Sequence, residues 1–220
     1  MFPLYDTVRS HKFPLINLLL IALNGLAFFS EFRMAPGELQ AFIFANGLIP
    51  AQLLANPPVE WMTIFSSMFL HGGWFHLLSN MWVLFIFGDN IEARMGGVRY
   101  LVFYLLSGTA AGLLQAFILP SSTVPMIGAS GAVAGVLGAY LILYPRSRIA
   151  SLVPIFLIFT LVELPAFIFL IFWFISQLYS GLFALQGSAG GIAWWAHIGG
   201  FLFGIFIAFF FRSRPTYRYM

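Results

Sequence analysis

Six long apolar runs, at about 14–32, 66–88, 99–119, 130–144, 164–185 and 194–211, constrain this chain more than any other feature. A helix needs ~20 apolar residues to cross a bilayer's hydrocarbon core, and most of these runs approach that length. Charged residues are only 8% of the chain, against roughly 25% in a soluble domain, so it cannot clothe itself in a polar surface. β-Barrel strands would show ~10-residue alternation of polarity, which is absent. The expected fold class is all-α and polytopic: a single membrane domain over 1–220, with short ends at about 1–13 and 212–220.

The charges between the runs set an orientation. With the N-terminus cytoplasmic, Arg9, Lys12, Arg94, Arg99, Arg146, Arg148, Arg212, Arg214 and Arg218 all lie inside, and only Arg33 lies outside. The net charge of +3 therefore reports topology, and no nucleic-acid partner is expected. The tract 149–185 carries a single charge, Glu163, and two spans there would throw the C-terminal arginines outside. One span is expected, with Pro154 and Pro165 marking where an interfacial or re-entrant segment gives way to it. The result is six spans with both ends cytoplasmic. The first run lacks a small-x-small cleavage site and reads as an uncleaved span. The loop at about 33–65, containing "FANGLIPAQLLANPPVEWMTIF", suits the membrane interface. No internal repeat supports a transporter of the inverted-repeat type.

Polar residues inside a membrane are costly, so function is sought among them. The second run, "HGGWFHLLSNMWVLFIFGDNIEARMGG", supplies His71, His76 and Asn80. His76 and Asn80 are i and i+4 and share a helix face, whereas His71 would lie about 140° from His76 and is expected to be structural. The last run places His197 in "AWWAHIGGFLFG", below the outer surface. Ser130 opens the fourth run, "PMIGASGAVAGVLGAYLILYP", whose roughly 15 helical residues span only ~22 Å of a ~30 Å core. That puts Ser130 at the floor of a polar cavity. By itself this serine, among glycines and alanines, reads first as a packing spacer.

The spacing of Gly131, Gly135 and Gly138, and of Gly200 and Gly204, lets two backbones approach closely. Packing of those faces would carry Ser130 to His197, where an imidazole can deprotonate the hydroxyl. Carboxylates occur only at 6, 31, 38, 60, 89, 92 and 163 and offer no obvious third member, which favours a Ser-His dyad. An oxyanion would be held by the Ser130 N–H, the Asn80 amide and His76. With no cysteine, no H-E-x-x-H and badly spaced histidines, neither a metal nor a cofactor is expected. A channel or transporter could instead use His76, Asn80 and His197 as a polar path. Glu92 is expected to cap a helix or pair with Arg94 or Arg99, and Glu163 to make a local bond.

"HGGWFHLLSN", "GASG" and "AHIGG", in that order and on those runs, resemble the rhomboid intramembrane serine proteases, in their compact six-span prokaryotic form. "IEARMGG" is similar to the family's pattern after the second span, and the resemblance covers roughly 60–212. It implies a rhomboid-like bundle in which Ser130 is the nucleophile and His197 the general base. It further implies that Asn80 and His76, with Gly128 beside them, form the oxyanion and substrate-binding site. Substrates would be transmembrane proteins cut in or near their membrane segment; the compact size points to a prokaryotic plasma membrane, with an organelle as the alternative, and the pattern assigns no oligomeric state. Two departures stand out. Trp61-Met62-Thr63 replaces the family's Trp-Arg pair, and Ala134 replaces an aromatic that stacks on the histidine. Trp194, Trp195 or fifth-span aromatics are expected to orient His197 instead. The rival reading is a catalytically silent rhomboid-like protein that binds or escorts membrane clients, but such proteins usually lack one member of the dyad.

Overall fold

The computed structural model describes residues 2–8, 10, 12–155, 158–185 and 191–212. Helix α1 (Leu15–Phe32) is followed by four short helices in the first loop: α2 (Pro36–Asn46), α3 (Pro50–Ala55), α4 (Pro57–Glu60) and α5 (Thr63–Ser66). Proline opens α2, α3 and α4, where its missing N–H costs nothing. The bundle is completed by α6 (Trp74–Met95), α7 (Gly97–Ile118), α8 (Ser130–Leu143), α9 (Ala166–Phe183) and α10 (Trp194–Ala208), the last continued by a 3₁₀ turn to Phe211. Among the described residues, α1, α7, α9 and α10 with its extension are long and apolar enough to cross a membrane. The chain is an integral, multi-pass membrane protein.

The second run is displaced from its expected place. The helix was expected at 66–88 and is found at Trp74–Met95. Gly72 and Gly73 interrupt the apolar run, and Asp89, Asn90 and Glu92 belong to the helix rather than ending it. Glu92 explains how a charge is tolerated there. Its carboxylate accepts the backbone N–H groups of Ile16 (3.1 Å) and Asn17 (2.8 Å), capping the otherwise open N-terminus of α1. Replacing Glu92 by alanine is expected to cost about 1–3 kcal/mol, read as a lower melting temperature in detergent.

Helix α8 is the centre of the bundle, and every residue from Gly131 to Tyr140 is buried. It is apolar all round, as such a position demands. The expected glycine contact with α10 is present. A Cβ at Gly200 would lie 1.9 Å from the Gly131 carbonyl oxygen, and one at Gly204 would lie 2.0 Å from that of Gly135. A Cβ at Gly138 would lie 2.0 Å from the Phe201 carbonyl oxygen. At three levels backbone meets backbone, and nothing larger than hydrogen fits.

An all-α fold is corrected by a three-stranded antiparallel sheet, ordered β1-β2-β3. Strand β1 (Phe2–Asp6) comes from the supposedly plain N-terminal end, and β2 (Arg148–Ile155) and β3 (Ile158–Pro165) occupy the tract expected to be interfacial or re-entrant. Pro154 lies within β2, whereas Pro165 does stand directly before the single helix of this tract, α9. Proline is tolerated at strand ends and edges but not inside a helix, and "FTLVEL" in β3 is rich in strand-forming residues. Register runs from Arg148↔Pro165 to Val153↔Thr160, and β1 adds through Phe2↔Leu152 and Asp6↔Ile149. Glu163 makes the expected local bond, with Arg148 at 3.6 Å.

Asp6 ties β1 to the helices, accepting from Tyr140 Oη and from Asn90 Nδ2 (2.9 Å). Burial raises its pKa from 3.8 to about 7, and Asp89 nearby acts in the same direction. Between about pH 4 and 7 the folded protein thus holds a proton that the unfolded chain has released, so this contribution to stability fades as pH rises. The melting temperature of Asp6→Asn relative to wild type should therefore rise between pH 4 and 8. A flat difference would refute the assignment.

Candidate active site

Helices α6, α8 and α10 all begin at one cavity of about 700 Å³, lined by His76, Asn80, Ser130, Ala134, Trp173, Gln177 and His197 among others. Ser130 is the first residue of α8, His76 the third of α6 and His197 the fourth of α10. The glycine contact sets the approach: a Cβ on Gly131, next to Ser130, would lie 3.9 Å from the Cβ of Ala196, next to His197. Three helix N-termini facing one space turn positive dipole ends toward it, an environment suited to a developing negative charge.

Gly128 lies in the turn before α8 with φ of 121°, a conformation that favours glycine. A Cβ there would lie 2.6 Å from His76 Nε2 and 3.7 Å from Ser130 Oγ, so the imidazole occupies the space glycine vacates. The Gly72 N–H donates to His76 Nδ1 (3.4 Å), which leaves the proton on Nε2, the nitrogen beside Gly128. Asn80 is buried and donates one amide hydrogen to the His76 carbonyl (3.0 Å), and its second amide hydrogen remains.

His71 departs from its expected geometry. Because α6 starts at Trp74, His71 is not on the helix, and its ring packs edge-on against His76 at 5.0 Å between centroids. Its role is nonetheless loop bonding: its N–H donates to Glu31 Oε2 (3.1 Å), and Nδ1 lies 3.3 Å from the Phe69 carbonyl. Burial, with His76 adding to it, lowers His71 to about 4, which keeps it neutral.

His197 is held from α9. Its Nδ1 lies 2.7 Å from Gln177 Oε1, and its ring packs 6.2 Å from Trp173 and 6.0 Å, edge-on, from Trp194. Two of the expected aromatic supports are therefore present, and Trp195 instead faces Gly181. From α7, the buried Gln115 Oε1 accepts the Ala196 N–H (3.2 Å), fixing the first turn of α10 just before His197.

The family model of the rhomboid domain matches residues 58–214, most of the chain and all of this cavity. The chain belongs to the rhomboid family. It is similar to RHOMBOID-like protein 4 of Arabidopsis thaliana, 33% identical over 73% of this chain and 36% of the relative. It is similar to RHOMBOID-like protein 6, mitochondrial, of the same plant, 32% identical over 71% of this chain and 45% of the relative. It also resembles the rhomboid protease GluP of Bacillus subtilis (strain 168), 34% identical over 58% of this chain and 24% of the relative. The chain spans less than half the length of each. One relative is mitochondrial, so membership by itself does not assign the membrane.

Two family features missing from this rhomboid have substitutes in the structure. Without the Trp-Arg pair, the first loop is pinned by reciprocal backbone bonds between Leu48 and Met126 (3.0 and 2.8 Å) and by the Ala51 N–H on the Ser122 carbonyl (3.1 Å). Without an aromatic at Ala134, His197 is supported by Trp173 and Gln177 of α9. Sequence reasoning missed Gln177 and Gln115. The available signal was a glutamine inside a long apolar run, where an amide without a partner would be costly.

Proposed function

We propose that this rhomboid is an intramembrane serine endopeptidase that cleaves transmembrane segments of membrane proteins through a Ser130–His197 dyad. The observation that carries this is the gathering of Ser130, His197, His76 and Asn80 around one cavity, with the Nδ1 face of His197 already engaged. Nε2 is then the nitrogen left to accept the Ser130 proton. Most of the remaining wall, including Phe75, Val83, Val133 and Leu137, is apolar and suits a hydrophobic chain rather than a soluble peptide.

Ser130 Oγ attacks the scissile carbonyl carbon as its proton passes to His197 Nε2. The negative charge gathering on the carbonyl oxygen is met by the Ser130 backbone N–H, His76 Nε2–H and the second amide hydrogen of Asn80, beside Gly128. Collapse breaks the C–N bond, and His197 returns its proton to the leaving amine. A water molecule, deprotonated by His197, then cleaves the acyl ester, releasing the carboxylate and restoring the serine. On this reading the chemistry lies below the outer surface of a six-span domain whose ends are both cytoplasmic, and the shortness of α8, 14 residues, supports it.

Cleavage of a single-span reporter protein in liposomes, with product termini mapped by mass spectrometry, tests the proposal. A cut within or beside the reporter's apolar segment, abolished in Ser130→Ala, is the expected result. A well-folded protein that binds the reporter without cutting it would favour the client-binding reading.

A further inference from the structure

We propose that Gln177 is a positioning residue that locks His197 in the tautomer able to accept the Ser130 proton; this rests on the protease reading above. Donors and acceptors along one turn of α9 leave a single consistent assignment. Ser176 Oγ donates to the Trp173 carbonyl (2.5 Å), so toward Gln177 the hydroxyl acts as an acceptor. Gln177 Nε2 donates to it at 3.1 Å, which fixes which end of the amide is oxygen. Oε1 therefore faces His197, and a carboxamide oxygen can only accept, so Nδ1 of His197 bears the hydrogen across the 2.7 Å contact. Nε2 is left bare.

The placement supports the role. Gln177 is 7% exposed, and it is one of only five buried residues on α9, with Ala166, Phe169, Leu170 and Gly181. Trp173, one turn earlier, packs its ring on the same imidazole and on Phe201. Together they clamp His197 by face and by edge. The group behind His197 is an amide and not a carboxylate. An amide fixes the tautomer as an acidic residue would, without placing a charge in the bilayer.

Two variants and a spectroscopic readout test this. Gln177→Leu keeps the bulk but removes the acceptor, and Gln177→Glu keeps an acceptor. In protein labelled with ¹⁵N-histidine, wild-type His197 should show protonated Nδ1 and bare Nε2, whereas Gln177→Leu should show a mixture of tautomers. Gln177→Leu should lower kcat about 10- to 100-fold with KM within about twofold, and Gln177→Glu should recover most of that loss. An unchanged His197 spectrum or unchanged kcat in Gln177→Leu, at wild-type melting temperature, overturns the proposal. Equal losses in both variants would do the same. If wild type shows protonated Nδ1 yet cleaves nothing, the protease reading falls while the hydrogen-bond assignment stands.

Discussion

Ser130→Ala is expected to lower cleavage of a transmembrane reporter by at least about 10³-fold, and His197→Ala by a comparable factor. The double variant should be scarcely worse than either, because nucleophile and base act as one unit. Neither loss should come from unfolding. The cap position of α8 is Ala129, one residue before Ser130, and the helix start uses no side-chain cap bond, so removing the Ser130 hydroxyl breaks none there. The His197 side chain lies at the cavity wall, and the α8–α10 packing is made by glycines around it. The melting temperature of Ser130→Ala in detergent should therefore stay close to wild type, and that of His197→Ala should fall only by the donor that the buried Gln177 Oε1 loses, about 1–3 kcal/mol, with the protein still folded. A Ser130→Ala protein that cleaves as fast as wild type would remove the nucleophile assignment.

Gly200→Ala should be nearly as damaging to activity and, unlike the dyad variants, should also destabilise the protein. Its methyl would sit 1.9 Å from the Gly131 carbonyl oxygen, and that obstacle is backbone, which cannot rotate away. The helices must separate, at about 1–3 kcal/mol or more for overpacking. Because Gly131 adjoins Ser130 and Gly200 lies one turn beyond His197, the same displacement pulls the dyad apart. A misplacement of ~1 Å costs on the order of 10²-fold in rate. Gly25→Ala is the matched control, since a Cβ there meets nothing within 4 Å and alanine is the better helix former. Gly25→Ala should keep full activity; equal tolerance at both positions would show that the α8–α10 contact does not set the site.

Where the sequence was legible, a single physical rule dominated. Helices α1, α7, α9 and α10 follow the apolar runs closely because lipid demands length and hydrophobicity, and both are visible in one dimension. The glycines of α8 and α10 were equally readable, since close approach requires missing side chains. Helix α6 was misplaced because Asp89 and Glu92 looked like the end of a span, while Glu92 is matched by N–H groups some 75 residues away. The sheet was missed for a related reason. An apolar tract without alternation reads the same as buried helix or buried strand, and one of the two partners of β2, β1, lies at the N-terminal end of the chain. Gln177 was hidden because an amide's role depends on which neighbour it faces. The structural role of His71 was legible, but its position relative to His76 was not, because His71 precedes the helix and the 3.6-residue period does not reach it.

The most direct test is covalent labelling of the protein in detergent by a serine-directed fluorophosphonate, with the modified residue located by mass spectrometry. A hydroxyl activated by His197 should be labelled at Ser130 alone, and labelling should vanish in both Ser130→Ala and His197→Ala. Labelling at another serine, or none in wild-type protein that melts cooperatively, would contradict the dyad.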